Sequence, residues 1–163
     1  VNTNFSFVNN FVPDLNLVLK DAHGHPALSR TGRGMSLAHA AMLSRGQGLS
    51  NLFDTLIAMS GFYDLGPTYL HGFGNDDVYF NNPASYVPGI SGETLDLIKH
   101  HSQVHLLCGT GKWELPDATR RFSQILWDKG IWHNADFWGP DMDHDWPTWR
   151  AMLGHYVSNR LGW

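Results

Sequence analysis

A glycine-rich turn in the first third of the chain has the layout of a turn that carries a serine nucleophile. The stretch TGRGMSLAHAA, residues 31–41, follows an apolar run and leads into a segment of small residues. In a strand–turn–helix arrangement a tight turn lifts one side chain out of the sheet, and small residues are needed two positions before and after it. Two registers fit that spacing, one centred on Gly34 and one on Ser36. The turn therefore predicts either a nucleophile at Ser36 or no nucleophile.

Four apolar runs predict the strands that would position this turn. They are Ala27 to Thr31, Leu56 to Ser60, Val104 to Cys108, and Ala135 to Gly139. Helical patterns alternate with them near residues 35–45, 93–101, 118–129 and 147–160. This alternation predicts an α/β fold with about four parallel strands and helices on both faces. Ligands of such sheets bind beyond the carboxyl ends of the strands, where residues 32–36, 61–64, 109–114 and 139–144 lie.

Several local patterns complete the expected organisation. Residues 1–10 are polar and predict an arm or a cut end, within a single domain over residues 1–163. Leu15, Leu17, Val18 and Leu19 predict a short helix with Pro13 in its first turn. Residues 61–92 are rich in glycine, asparagine and aromatic residues, and predict a long loop that is functional or shields a site. Asp117 is expected to cap the helix 118–129, and Gly130 to end it.

Composition narrows the function classes. The chain has 163 residues and a formal net charge of −4, which argues against nucleic acid or an anionic membrane as the main partner. No apolar run reaches the roughly 20 residues of a membrane span. The single cysteine, Cys108, lies in an apolar run and is expected to be an inert buried thiol, which agrees with a cytoplasmic location.

A group of acidic residues near the carboxyl terminus could suggest a metal site. The group comprises Asp141, Asp143, His144 and Asp145. These residues lack the fixed spacing of metal ligands and would need partners from elsewhere in the chain. We therefore expect no metal and no other cofactor.

The sequence resembles the putative-esterase branch of the α/β-hydrolase superfamily, which includes feruloyl esterases and esterase D-type enzymes. The resemblance is carried by HAA at 39–41, MSGFYD at 59–64, VYFNNPASYVP at 78–88, WG at 138–139 and HDWPTWR at 144–150. It covers roughly residues 10–158, the C-terminal two-thirds of the family's fold. The family's first strands, which carry one oxyanion-hole donor, have no counterpart in the sequence. The strand from Ala27 to Thr31 is therefore expected to be an open sheet edge that invites a partner strand.

The resemblance also implies roles for individual residues. His144 lies at the position of the family's catalytic histidine, and Glu114 or Asp117 at that of the acid. The family's turn reads Gly-Cys-Ser-Met-Gly, and a gap-free alignment on HAA places Gly34 at the nucleophile. Ser36 then occupies the position of the second glycine. Without a serine Oγ beside the histidine, no acyl-enzyme can form.

Three functional hypotheses follow. The first is a degenerate esterase-like protein, a pseudoenzyme retained for binding a small ester or aromatic ligand or for assembly. The second is an active serine esterase on small acyl or feruloyl-type esters that uses Ser36, with Glu114 or Asp117 and His144. The third is one part of a hydrolase that another chain, or a second copy in a homo-oligomer, completes at the sheet edge.

Overall fold

The computed structural model describes residues 15–20, 26–33 and 55–160. Five strands form one sheet in the order β1-β2-β3-β4-β5: β1 Leu15–Lys20, β2 Pro26–Arg33, β3 Thr55–Met59, β4 Gln103–Cys108 and β5 Asn134–Phe137. The pairs β2·β3, β3·β4 and β4·β5 are all parallel, which confirms the predicted four-stranded parallel sheet.

The first strand corrects two predictions about the start of the chain. Residues 15–20 form β1 and not a helix, and β1 pairs antiparallel with β2 from Leu15↔Thr31 to Lys20↔Pro26. The leucines at 15, 17 and 19 have the two-residue period of a strand, and this period matches the structure better than a helix begun at Pro13. The expectation of an open edge at residues 27–31 is therefore wrong, because β1 occupies that edge.

Helices pack on both faces of the sheet, as predicted. Alternate side chains of β3 point to opposite faces, so Leu56 and Ala58 enter one core and Ile57 enters the other. The first core includes Phe122 and Leu126 of the helix α4, Pro116–Asp128. The second contains Met152 of the helix α5, Trp146–His155, which continues as a π-turn over Tyr156–Arg160.

The segment predicted as a long loop contains short helices. A π-turn at Gly66–Leu70 precedes α1, Asp76–Asn81, and α2, Pro83–Tyr86. A 3₁₀ turn at Val87–Gly89 then leads to α3, Gly92–His101. Single turns such as these leave few periodic positions in the sequence, so their apolar residues do not reveal a helical pattern.

The ends of α4 agree with the prediction in one case and differ in the other. Gly130, two positions after the last residue of the helix, has φ 66°, the left-handed conformation that suits glycine at a helix end. Asp117 does not cap the helix, because α4 already begins at Pro116 and Leu115 is the N-cap. Proline suits the first helical position, because its fixed φ matches the helix and the N–H it lacks would have no partner within the helix, so α4 begins two residues earlier than predicted.

Across the described residues, we find no helix with both the length and the apolar character needed to cross a bilayer.

Candidate functional site

A buried glutamate lies where the chain turns beyond the carboxyl end of β4. The side chain of Glu114 has no solvent exposure. Its Oε1 accepts a hydrogen bond from the Ser60 hydroxyl at 2.5 Å, and its Oε2 accepts one from the Cys108 thiol at 3.4 Å. The same Oε2 lies 3.5 Å from Nδ1 of His144. Three groups from different segments thus converge on one carboxylate.

His144 lies in the loop between β5 and α5, and this loop is interlocked with the loop that follows β4. The backbone N–H of His144 donates to the carbonyl of Lys112 at 2.9 Å, and the N–H of Lys112 donates to Oδ1 of Asp143 at 2.6 Å. A Cβ on Gly109 would lie 2.0 Å from the carbonyl oxygen of Met142. Glycine at 109 therefore permits the close approach that holds His144 over Glu114.

The two nitrogens of the His144 ring have different surroundings. Nδ1 is buried and faces the Glu114 carboxylate, whereas the side chain as a whole is 25% exposed. The Nδ1 to Oε2 distance is at the long limit of a hydrogen bond, as is common for acid–histidine pairs without a bound ligand. The carboxylate favours the tautomer with the proton on Nδ1 and leaves Nε2 able to accept a proton.

The hydrogen bonds to Glu114 keep its carboxyl ionised although it is buried. Burial by itself would raise the pKa, but the neighbouring His144 ring and the hydrogen bonds from Ser60 and Cys108 outweigh it, and the pKa of Glu114 lies below its ordinary value. Cys108 shows the opposite effect. Burial and then the negative charge of Glu114 raise the pKa of its thiol to about 12, in agreement with the predicted inert cysteine.

Ser60 is a site residue that the sequence analysis did not single out. It follows β3 directly and has φ 51°, a left-handed conformation that is uncommon outside glycine. Its Oγ accepts a hydrogen bond from the indole Nε1–H of Trp149 at 2.9 Å. The available signal was position, because Ser60 lies at the carboxyl edge, one residue before the segment 61–64 assigned to that edge.

Asp117, the alternative acid, is not brought to His144. Its side chain is 78% exposed and pairs with Arg120, 2.7 Å away and one helical turn along α4. Of the two candidate acids, only Glu114 lies within reach of the histidine.

The glycine-rich turn at residues 31–41 lies partly outside the described residues, which do not include Gly34, Ser36 or His39. The described strand β2 ends at Arg33, which pairs with Met59 of β3. The chain therefore leaves β2 at the same sheet edge at which Ser60 lies.

The acidic residues near His144 have structural partners. Asp143 accepts from Lys112, and Asp145 is the N-cap of α5 and accepts from the N–H of Trp146. Within the part of the chain that the structure describes, no three His, Cys, Asp or Glu side chains gather as a metal site requires.

Comparison of the fold with solved structures finds a similar protein described as a ferulic acid esterase. The match has a TM-score of 0.56 and 20% sequence identity, and covers 85% of this chain and 50% of that chain. The chain thus has an esterase-like α/β fold and spans half the length of the esterase it matches. No protein-family model matches the chain, and no curated protein sequence matches it.

Proposed function

We propose that this protein is an esterase-like member of the α/β-hydrolase fold that keeps an acid–histidine pair and has lost the serine nucleophile. The observation that carries the proposal is the Glu114–His144 pair, 3.5 Å apart at the carboxyl edge of the sheet. The alignment with the resembling family places Gly34 where that family has its serine. The protein would then bind a small ester or an aromatic ligand without forming an acyl-enzyme.

The chemistry left to such a site is limited. Nε2 of His144 can accept a proton from a bound water molecule, and Glu114 can stabilise the resulting imidazolium. Water held in this way reacts more slowly with an ester than a serine alkoxide that is already positioned. The proposed ligand class is supported by the similarity in fold to a protein described as a ferulic acid esterase.

Restoring the missing hydroxyl tests the proposal. Hydrolysis of a short-chain p-nitrophenyl ester is measured for the unmodified chain, Gly34→Ser, and Gly34→Ala as the matched control that adds a Cβ without a hydroxyl. We expect Gly34→Ser to raise turnover by at least about 10²-fold, the scale of contribution that nucleophile and base make together. Adding His144→Ala to Gly34→Ser should abolish the gain. No gain in Gly34→Ser, with the variant folded, would contradict the proposal.

An active serine esterase is the second candidate. It is favoured by the orientation of His144, whose Nδ1 faces the acid and whose side chain is partly exposed, as a working base requires. In this case Ser36 would be the nucleophile. The unmodified chain would then show ester turnover well above the rate in buffer alone. Ser36→Ala would remove this turnover, and Gly34→Ala would serve as the folded control.

Assembly with a partner chain or a second copy remains a prediction. Because β1 pairs along β2, the partner would not bind at residues 27–31. The mass in solution, measured by analytical ultracentrifugation, tests it: a compact monomer at micromolar concentration would argue against obligate completion.

A further inference from the structure

We infer that Ser60 and Trp149 form a positioning relay that holds Glu114 in the orientation needed by His144. This inference rests on the proposed function of the acid–histidine pair and adds two positioning residues to it. The relay runs from the indole N–H of Trp149 to the Ser60 hydroxyl at 2.9 Å, and from that hydroxyl to Oε1 of Glu114 at 2.5 Å.

The direction of each hydrogen bond in the relay is fixed by chemistry. An indole N–H can only donate, so the Ser60 oxygen must accept from it. An ionised carboxylate can only accept, so the Ser60 hydroxyl proton must point to Glu114. The serine rotor therefore has one orientation, and Glu114 always presents Oε1 to Ser60 and Oε2 to His144.

Trp149, the first residue of the relay, also contacts His144 directly through its ring. The His144 ring packs edge-on against the Trp149 ring, with centroids 5.0 Å apart and an interplanar angle of 87°. Trp149 thus contacts the histidine by its ring and supports the acid by its N–H. A single helix, α5, therefore sets the positions of both members of the pair.

The backbone conformation at Ser60 directs its hydroxyl towards Glu114. Its φ of 51° is a conformation that costs a non-glycine residue free energy, and strained residues persist where the surroundings over-determine them. The backbone N–H of Ser60 donates to the carbonyl of Leu107 at 2.7 Å, which keeps the residue at the sheet edge. The next residue must be small, since a Cβ on Gly61 would lie 2.2 Å from the Tyr63 ring. The turn therefore aims the Ser60 hydroxyl at Glu114.

The first test measures the relay without any catalysis. The titration of the Glu114 carboxyl is followed by ¹³C NMR in the unmodified chain, Ser60→Ala, Trp149→Phe and Trp132→Phe. Trp149→Phe removes the N–H and keeps an aromatic ring. Trp132→Phe is the matched control, because Trp132 is exposed and precedes β5 at the opposite end of the sheet. We expect the midpoint to rise in Ser60→Ala, to rise less in Trp149→Phe, and to stay unchanged in Trp132→Phe. An unchanged midpoint in a folded Ser60→Ala would overturn the relay.

The second test adds the reaction in the Gly34→Ser background. Ser60→Ala and Trp149→Phe should each lower the turnover number by about tenfold with little change in KM. Ser60→Cys, which restores a donor, should recover part of the rate. If Gly34→Ser gives no activity, the proposed function fails, while the NMR titration still decides the relay. If Trp132→Phe lowered the turnover number as much as Trp149→Phe, the losses would be a general effect on folding, and the relay would be overturned.

Discussion

Two histidines lie at opposite ends of β5 and differ in every property that separates a structural histidine from a reactive one. His133, at the amino end, is 3% exposed, and its ring contacts Ser123 Oγ through Nε2 at 2.7 Å and the Ile131 carbonyl through Nδ1 at 3.0 Å. His144, at the carboxyl end, has its Nδ1 3.5 Å from a carboxylate oxygen, and its side chain is 25% exposed.

The difference teaches that a serine–histidine contact alone does not indicate catalysis. Because the Ile131 carbonyl can only accept, Nδ1 of His133 carries the proton and Nε2 accepts from Ser123. That is the arrangement of an activated serine, yet both side chains are buried, and among the described residues neither ring nitrogen is paired with a carboxylate. Burial lowers the pKa of His133, against the bond to Ile131, which favours the charged form. His144 instead has a negatively charged neighbour and a partly exposed side chain, which is why we place the function there.

The largest expected effect is on stability when each histidine is removed. His133→Ala should lower the free energy of unfolding by about 3 kcal/mol, because it leaves a cavity and removes the partners of a buried hydroxyl and a buried carbonyl. His144→Ala should cost about 1 kcal/mol, since that side chain is partly exposed and Glu114 keeps its other two donors. Urea denaturation at pH 7 measures both. Equal losses would contradict the assignment of different roles.

Acid should destabilise the protein in two steps, one from each histidine region. His133 has a lowered pKa, so below about pH 6.5 the unfolded chain binds a proton that the folded chain does not, and stability falls. Glu114 also has a lowered pKa, so its contribution is present above the ordinary glutamate pKa of 4.5 and is lost as the pH falls through the lower folded value. Unfolding free energies measured from pH 8 to pH 3 should show both losses.

Matched variants assign the two steps. His133→Gln should remove the step that begins below about pH 6.5 and leave the more acidic one, and Glu114→Gln should do the reverse. A single step that both variants alter would show that the two regions titrate together, contrary to their separation at opposite ends of β5.

Several elements of the fold could be predicted from the sequence because their signals are local. β3, β4, the helix α3 and the glycine at 130 follow from local apolar runs and turn residues. The carboxyl-edge positions of Glu114 and His144 follow from the strand order together with the family resemblance. The helix predicted at residues 15–19 is wrong, because four apolar residues after a proline fit both the helical and the strand period. Only the pairing of β1 with β2, which is not local, decides between them.

The contacts that complete the site could not be predicted, because they join residues far apart in the chain. Ser60 and Trp149 are 89 residues apart, and Ser60 and Glu114 are 54 apart. Each is an ordinary residue in its local sequence. The left-handed backbone at Ser60 has no local signal either, since serine is not a residue that usually indicates a positive φ.

A smaller effect should separate strain from hydrogen bonding at Ser60. Ser60→Ala and Ser60→Gly both remove the hydroxyl, but only glycine adopts φ 51° without steric cost. Ser60→Gly should therefore be more stable than Ser60→Ala by about 1 kcal/mol. The comparison is made by urea denaturation of the two variants. At Ser123, which lies in the regular helix α4, the order should invert, because alanine is the better helix former.

The smallest expected effect is at the alternative acid. Asp117→Asn should change the free energy of unfolding by less than about 0.5 kcal/mol, because the pair with Arg120 is exposed and screened by water. In the Gly34→Ser background it should leave ester turnover unchanged, whereas Glu114→Gln should lower it by at least about tenfold. The pair of variants differs only in which carboxylate is neutralised. A loss in Asp117→Asn equal to that in Glu114→Gln would mean that the acid serving His144 is not the buried one, since α4 holds Asp117 on its exposed side, paired with Arg120.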